Sequence, residues 1–353
     1  MSGALTGSAP VLAVLGAMAA GAGIAFVIGH SADRIGRALG LLDFPDPAGG
    51  RKLHARVTPL VGGLAVLLAA LAGLLVPGVG AGFDRAWFAI AAIGLFATGV
   101  ADDRFGLTAP FRLLFATGLL ALVLLQVPDF RLAFLLFEGQ RELLVFPTLA
   151  GIGFTLLCLI GLLNAVNMAD GKNGLVIGQA IVWAFVLLFR LPPEQAPLVA
   201  TIGGALVVLF WFNWHGRLFL GDSGSYALSA IFGLIAIHAW NNGFAAMRAS
   251  DVALIFALPV YDTIRLILHR LASGRTPFTP GRDHLHHYLH ARWGWPRPLP
   301  WVLLLVLLPN LGALLVPGTG LFWLGVTLVG YLALLRLATR PAPEPGGVPH
   351  PRR

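Results

Sequence analysis

The chain is divided into eleven long runs of apolar residues, separated by short polar connections. They lie at about residues 9–28, 60–76, 86–100, 109–127, 148–163, 175–191, 196–212, 226–240, 252–268, 299–316 and 321–337. Crossing the hydrocarbon core of a bilayer takes about 20 residues of apolar helix. Only 11% of the residues are charged, whereas a soluble domain has about 25%. We therefore predict an all-α polytopic integral membrane protein with about eleven transmembrane helices.

The positive charges are distributed unequally between the connections. All but five of the 24 Lys and Arg residues fall in alternate connections, and the exceptions are Arg85, Arg131, Arg141, Arg190 and Arg248. Because Lys and Arg near span ends favour the cytoplasmic side, we predict an external amino terminus and a cytoplasmic carboxyl terminus. The basic residues form no stripe along a soluble domain, so the net charge of +8 does not indicate a nucleic-acid partner.

The connections define the expected domain organisation. Residues 1–338 form a single transmembrane domain whose cytoplasmic loops lie at 30–59, 101–108, 164–174, 213–225 and 269–298. On the other side, residues 128–147 contain two largely apolar segments around a Gly139-containing turn, which predicts a short external β-hairpin. The Pro-rich residues 339–353 are predicted to be a disordered cytoplasmic tail.

The central polar stretch is Asn164-Ala-Val-Asn-Met-Ala-Asp-Gly-Lys-Asn-Gly-Leu175. Asn164, Asn167 and Asp170 recur every three positions, so they line one broad face for as long as the helix persists. Two amides and a carboxylate are costly at bilayer depth unless they face a wet cavity or a ligand. This pattern indicates a site, the alternative being a polar helix terminus followed by a turn.

Two further stretches place carboxylates at the ends of apolar runs. Asp102 and Asp103 are adjacent, and adjacent helical side chains diverge by about 100°, so the two acids are expected to have different roles. One could accept a proton or help to hold a cation, and the other could cap a turn or pair with Arg104. Asp222 lies between Gly221 and Gly224 near a helix start, where it could either bind a cation or cap the helix.

Basic groups occupy two other connections of the same side. Lys52 follows Arg51 in the first connection, where the two could bind phosphate oxygens or merely satisfy the orientation rule. His284, His286 and His287 follow Arg282 in the longest connection. With no cysteine nearby a zinc site is not favoured, and imidazoles beside a guanidinium suit anionic oxygens.

All of these polar groups fall on one side of an otherwise apolar protein, and their order carries a resemblance. The segment from Lys52 to Gly63, the Asp102-Asp103 pair, the central stretch, Gly221-Asp222-Ser-Gly-Ser225 and His284-Leu-His-His287 resemble the successive cytoplasmic motifs of the polyprenyl-phosphate N-acetylhexosamine-1-phosphate transferases, a glycosyltransferase 4 superfamily. The His-x-His-His form resembles the WecA/TagO-like branch rather than the MraY-type translocases, which typically carry three consecutive histidines.

The resemblance implies an activity and its partners. A Mg²⁺-dependent enzyme, in which Mn²⁺ can substitute, would transfer a sugar 1-phosphate, most simply GlcNAc 1-phosphate, from a UDP-sugar to undecaprenyl phosphate and release UMP. It would act at the cytoplasmic face of a bacterial inner membrane, as a monomer or a homodimer, and begin a lipid-linked cell-envelope glycan such as lipopolysaccharide O-antigen.

The resemblance also implies residue roles. Asp222 and Asn167 would bind Mg²⁺, with Asp170 close by, and either Asp102 or Asp103 would accept a proton, with Asp102 preferred. The remaining groups would contact the UDP-sugar. The groups at the diphosphate would be His284, His286, His287, Arg282 and Lys52. The groups near the uridine or in the central motif would be Gly171, Asn173, Phe219 and Asn164.

One departure and two alternatives remain open. Bacterial members of the family usually carry a second aspartate where this chain has Asn173, and an amide cannot act as an anionic ligand or proton acceptor. Within the family, an MraY-type enzyme would use UDP-MurNAc-pentapeptide. A non-enzymatic lipid or solute transporter is the alternative of another class, although polar residues through the membrane depth would then be expected.

Overall fold

The computed structural model describes residues 8–45, 56–80, 82–243, 247–276 and 281–340. Fourteen α-helices lie within these ranges. The first seven are α1 Ser8–His30, α2 Ala32–Leu39, α3 Gly62–Leu74, α4 Arg85–Phe105, α5 Ala109–Gln126, α6 Thr148–Ala169 and α7 Leu175–Leu188. The others are α8 Ala196–Trp214, α9 Gly221–Gly243, α10 Ala249–Ile255, α11 Ala257–Ala272, α12 Leu285–Trp293, α13 Leu299–Leu315 and α14 Gly320–Thr339.

Each apolar run coincides with a helix, but not every helix is long enough to span. Within the described ranges, seven helices have the length and composition for a membrane span, and α10 with α11 makes an eighth if this pair, bent by 80°, is one span. The prediction of eleven spans is not confirmed, because α3, α7 and α13 are shorter apolar helices. At 1.5 Å per residue, the 13 residues of α3 reach only about 20 Å of a core about 30 Å thick.

Two small antiparallel strand pairs occur in the connections. In the first, β1 (Leu42–Asp43) pairs with β2 (Thr58–Pro59). In the second, β3 (Phe134–Leu135) pairs with β4 (Leu144–Val145), which confirms the β-hairpin within residues 128–147. Gly139 has φ +76 at the hairpin turn, a conformation that glycine adopts without steric cost. Residues 341–353 of the predicted tail lie outside the described residues.

Helix α9 is the central element of the bundle. It is buried from Ser223 to Trp240 and packs against α3, α4, α6 and α7. Glycines allow the closest of these contacts: a Cβ on Gly99 of α4 would lie 2.3 Å from the Cα of Ser223, and a Cβ on Gly63 of α3 would lie 2.4 Å from the amide nitrogen of Gly224. The start of α9 is therefore held between two neighbouring helices at backbone contact distance.

The orientation of the bundle stays a prediction, tested by cysteine labelling. The single cysteine, Cys158, is exposed and is first changed to Ser. Cysteine is then placed at Arg141 in the hairpin or at Arg282 in the histidine connection, both exposed positions. An impermeant maleimide added to intact cells should label only the Arg141→Cys variant, because the charge distribution predicts that Arg282 is cytoplasmic. Labelling of Arg282→Cys from outside would reverse the orientation.

Candidate active site

The end of α4 meets the start of α9 through Asp103. Its Oδ1 accepts a hydrogen bond from the backbone N–H of Asp222 at 2.8 Å, and its Oδ2 accepts one from Ser223 at 3.0 Å. The first amides of a helix have no partner within the helix, and its positive dipole end favours a carboxylate. Asp103 therefore caps α9 from another helix and fixes the position of Asp222 relative to α4.

Asp102 points in a different direction and has different partners. It is 6% exposed and forms an ion pair with the guanidinium of Arg112. Tyr226 donates its hydroxyl to Asp102 Oδ2 at 3.2 Å, and the backbone N–H of Leu107 donates to Oδ1 at 2.9 Å. The divergence expected for adjacent helical residues thus separates one acid that caps α9 from one that binds Arg112.

Asn167 of α6 joins Asp102, Asp103 and Asp222, and these four residues form the acidic cluster. Its Nδ2 donates to Asp222 Oδ1 at 2.5 Å and to the Ser225 hydroxyl at 3.1 Å. Arg112 also approaches the cluster, with its Nη1 3.8 Å from Asp222 Oδ2. Asn164, which the helical spacing places on the same face, instead donates from Nδ2 to the carbonyl of Ile160 at 2.8 Å within its own helix. The structure therefore brings Asn167, but not the Asn164 amide, to Asp222.

The residues that follow α6 connect the acidic cluster to the histidines. Burial, and secondarily the negative charge of nearby Asp103, raise the pKa of Asp170 to about 7. At the next position, a Cβ on Gly171 would lie 2.3 Å from His286 Nε2. Only glycine leaves room for the imidazole at this distance. The central stretch thus lies against both the acidic cluster and the histidines, which makes them parts of one site.

The three histidines form a stack at the start of α12. The rings of His284 and His286 are nearly parallel, at 9°, with centroids 5.4 Å apart, and those of His286 and His287 are 4.3 Å apart. Burial lowers the pKa of His286, and burial together with the neighbouring basic groups His284, Lys172 and Arg282 lowers that of His287 to about 4. Both imidazoles are therefore neutral at pH 7, and a guanidinium such as Arg282 carries the positive charge instead.

The groups that the resemblance assigns to the uridine lie on loops that are held in place by hydrogen bonds. The carbonyl of Asn173 accepts a hydrogen bond from Trp295 Nε1 at 3.0 Å, and the next amide, Gly174 N–H, donates to Asn213 Oδ1 at 2.6 Å. The backbone of half-buried Phe219 bonds to Pro59 at 2.8 Å and to Gly62 at 3.0 Å. Lys52 lies outside the described residues, so its role stays a prediction.

Sequence reasoning missed several residues that shape the site. The close approaches of Gly63 and Gly99 leave no signal in a chain with 44 glycines. Arg112 was counted only for orientation, although it binds Asp102. Asp262, whose carboxylate lies 3.0 Å from His284 Nδ1, did carry a signal, since an ionisable residue inside an apolar run is by default a functional candidate.

The donor set fits a hard divalent cation. Among the described residues, no three His, Cys, Asp or Glu side chains form a ready metal cluster. Mg²⁺, however, is commonly held by one or two carboxylates together with substrate phosphates and water. The side-chain amide of Asn167 contacts the carboxylate of Asp222 through Nδ2, and because the O and N of an amide are interchangeable in assignment, the pair can supply one carboxylate and one amide oxygen to a cation.

Similarity to known proteins agrees with this arrangement. The model of glycosyl transferase family 4 matches residues 86–239. A probable undecaprenyl-phosphate N-acetylglucosaminyl 1-phosphate transferase of Bacillus subtilis (strain 168) is 24% identical over 268 residues, which is 73% of this chain and 72% of the relative. The undecaprenyl-phosphate alpha-N-acetylglucosaminyl 1-phosphate transferases of Yersinia pestis and Escherichia coli (strain K12) are 29% and 26% identical, over 71% and 80% of this chain and 70% and 78% of their own lengths.

The matched segment coincides with the part of the fold that builds the acidic cluster. It begins in α4 and ends in α9, so it includes Asp102, Asp103, the central stretch and Asp222. The longer alignments to the individual relatives extend over most of the chain. The family match and the acidic cluster thus rest on the same helices, and over residues 86–239 the chain is similar to glycosyl transferase family 4.

Proposed function

We propose that this protein transfers N-acetylglucosamine 1-phosphate from UDP-GlcNAc to undecaprenyl phosphate and releases UMP. The observation that carries the proposal is the central stretch, which places an acidic cluster at Asn167 and a histidine cluster at Gly171. A nucleotide arriving from water and a lipid phosphate arriving from the membrane need such a site at the boundary between the two. The names of the relatives supply the sugar and the lipid.

The reaction is a direct displacement at phosphorus. An oxygen of the lipid phosphate attacks the β-phosphorus of UDP-GlcNAc, the bond to the bridging oxygen breaks, and UMP carries that oxygen away. The protein mainly positions two anions and neutralises their repulsion. We assign Mg²⁺ binding to Asp222 and Asn167, where the ion would offset charge on the diphosphate.

The histidine connection binds the other side of the diphosphate. Arg282 is exposed and provides a permanent positive charge. His286 and His287 are neutral at pH 7, because burial and neighbouring positive charges lower their pKa values, so each contributes a hydrogen bond rather than a charge. Burial and the charge of Arg282 lower the pKa of Lys172. Lys172 therefore interacts electrostatically with the same region.

The two adjacent acids, Asp102 and Asp103, are assigned different roles: one accepts a proton and the other holds a positively charged side chain. We assign the proton-accepting role to Asp103, which lies beside Asp222 at the start of α9. Asp102 was preferred on sequence grounds, but its carboxylate forms an ion pair with Arg112 and also accepts from Tyr226 and Leu107, whereas the hydrogen bonds of Asp103 come from neutral backbone amides. Asp102 then holds the guanidinium of Arg112 toward the lipid phosphate.

The assignment within the pair predicts different pH behaviour of two variants. The second ionisation of a phosphate lies near pH 6, so some lipid phosphate is still protonated at pH 6.5. Asp103→Asn should therefore lose turnover at pH 6.5 and recover part of it at pH 9, where no proton has to be accepted. Asp102→Asn should lose turnover equally at both pH values. Recovery of Asp102→Asn instead would move the base to Asp102, and a trapped phospho-enzyme would replace direct transfer.

The proposed activity itself is tested by product analysis with purified protein. Incubation with UDP-GlcNAc, undecaprenyl phosphate and Mg²⁺ should release UMP and form a lipid-linked product with one GlcNAc. Omitting the lipid should stop UMP release, which separates transfer from hydrolysis. UDP-GalNAc and UDP-MurNAc-pentapeptide serve as competing donors. Turnover with the pentapeptide donor alone would favour the MraY-type reaction, and no UMP with any donor would remove the enzymatic proposal.

The cellular setting follows from the same proposal. We assign the protein to a bacterial cytoplasmic membrane with its active site facing the cytoplasm, an assignment that the seven or eight candidate spans and the names of the relatives support. Its lipid-linked product would then begin a cell-envelope glycan such as O-antigen. A homodimer is part of the proposal and is tested by the mass of the detergent-solubilised protein.

A further inference from the structure

A buried carboxylate outside the acidic cluster is built into the histidine connection. Asp262 lies on α11, within the bent α10–α11 pair, and is 8% exposed. A carboxylate in such a place is costly unless hydrogen bonds compensate its charge. The partners of Asp262 should therefore show why an apolar helix carries it.

The first partner is the ring of His284. Asp262 Oδ2 lies 3.0 Å from His284 Nδ1. An ionised carboxylate can only accept, so Nδ1 must carry a proton. The contact selects one tautomer and one ring orientation, and leaves Nε2 as the nitrogen that can bind a ligand.

The second partner is the backbone that follows His284. The N–H of Leu285 lies 3.2 Å from Asp262 Oδ1 and 3.3 Å from Oδ2. Leu285 is the first residue of α12, whose early amides have no partners within the helix. One carboxylate thus orients the imidazole and caps α12, at the start of which all three histidines lie.

The carboxylate is itself held in place by two neighbours. Tyr331 of α14 donates its hydroxyl to Asp262 Oδ1 at 2.9 Å, and Arg265 Nη2 donates to the same oxygen at 3.0 Å. Arg265 Nε also donates to the Tyr331 hydroxyl at 2.7 Å, and its Nη2 binds the carbonyl of Asp283. With each oxygen bound from several directions, Asp262 has little freedom to move.

The ring of His286, next to His284, relates the histidines to the central stretch. His286 is buried, 4% exposed, and its Nε2 has no hydrogen-bond partner among the described residues. That nitrogen points at Gly171 of the central stretch, and the ring lies parallel to His284. His284 therefore lies beside an imidazole that is packed against the central stretch.

We propose that Asp262 is a positioning residue that locks His284 with Nε2 directed at the diphosphate of the nucleotide sugar. The inference rests on the proposed function for the identity of that ligand. Asp262 touches neither substrate and acts through His284. Tyr331 and Arg265 support it from α14 and α11.

The proposal is tested by a double-mutant cycle on purified protein. Asp262→Asn should lower kcat/KM by about 10- to 100-fold, the range found when a carboxylate that orients a ligating histidine is replaced. His284→Gln should cause a loss at least as large. Adding Asp262→Asn to His284→Gln should cost less than about threefold more, because residues that act as one unit are not additive. Tyr331→Phe, which keeps the ring but removes the hydroxyl that donates to Asp262 and accepts from Arg265, should lose less than Asp262→Asn.

Asp251→Asn is the matched control. Asp251 is a buried acid, 3% exposed, on α10 of the same bent pair, and its contacts are with Arg190 and Arg248 rather than with the histidines. Its replacement should leave kcat/KM of the folded fraction within about threefold of the wild type. Additive losses for Asp262→Asn and His284→Gln, or losses that merely follow the folded fraction as in Asp251→Asn, would reduce Asp262 to a structural role and overturn the proposal.

A second readout does not depend on turnover. Diethyl pyrocarbonate modifies imidazole nitrogens, and peptide mass spectrometry reports the rate at each histidine. Asp262→Asn should change the rate at His284 several-fold and leave that at His290, on the same helix α12, unchanged. If the wild type releases no UMP, the proposed function fails while this result still decides the contact. An unchanged rate at His284 would overturn the positioning role.

Discussion

Asp222→Asn is expected to lower turnover by about 10²- to 10⁴-fold. A bound cation contributes several kcal/mol to stabilising a phosphoryl-transfer transition state, and each loss of about 1.36 kcal/mol is a factor of ten in rate. The substitution keeps the size of the side chain but removes the negative charge that would hold Mg²⁺. Asn167, whose Nδ2 lies 2.5 Å from Asp222 Oδ1, cannot replace that charge. Initial rates of UMP release measure the loss.

Magnesium titrations separate a lost ligand from a misfolded site. Wild-type activity should vanish with EDTA and return with Mg²⁺ or Mn²⁺, both of which favour oxygen ligands. Asp222→Asn should need much more Mg²⁺ and bind Mn²⁺ weakly in electron paramagnetic resonance with UMP present. Asp84→Asn is the matched control, because Asp84 caps α4 by accepting from Trp87 N–H and Asn caps equally well. An unchanged Mg²⁺ requirement in Asp222→Asn would remove Asp222 from the metal site.

Gly99→Ala is expected to lower turnover on the order of 100-fold although it replaces no polar side chain. The new Cβ would lie 2.3 Å from the Cα of Ser223, so α4 and α9 must separate. Since Asp103 spans this junction to Asp222 N–H, the separation shifts the acidic cluster, and a displacement of about 1 Å can cost about 10²-fold in rate. Overpacking should also destabilise the fold by about 1–3 kcal/mol, which thermal unfolding in detergent measures.

Gly118→Ala supplies the comparison for this effect. Gly118 is a helical glycine of α5 with no atom within 4 Å of an added Cβ. Alanine is favoured over glycine in a helix by about 1 kcal/mol, so the variant should be as stable as the wild type or more so, with normal turnover. Equal activity of Gly99→Ala and Gly118→Ala would show that the α4–α9 distance does not control the site.

Local patterns account for what could be predicted from the sequence. Apolar runs correspond to helices, because a polypeptide in an apolar environment must satisfy its backbone groups within the segment. The polar motifs stood out for the related reason that carboxylates and amides are costly at the ends of such runs without a ligand. The resemblance to the transferase superfamily rested on these motifs and their order, and the match of glycosyl transferase family 4 to residues 86–239 confirms that resemblance.

Helix length and side-chain partners depended on packing that no local pattern records. The eleven apolar runs are not confirmed as eleven spans, because α3, α7 and α13 are shorter apolar helices. The sequence predicted that Asp102 and Asp103 diverge, but only contacts across the bundle paired Asp102 with Arg112 and Asp103 with the start of α9.

By itself, then, the sequence determined the membrane class of the protein, its helical segments and the polar motifs at their ends, all of which follow from the chemistry of neighbouring residues. The tertiary structure alone decided that Gly99 sets the approach of α4 to α9 and that Asp262 orients His284. Asp262 and His284 are 22 residues apart and Gly99 and Ser223 are 124 apart. Contacts over such separations form only when helices pack, and packing depends on the shape of the whole bundle rather than on any one segment.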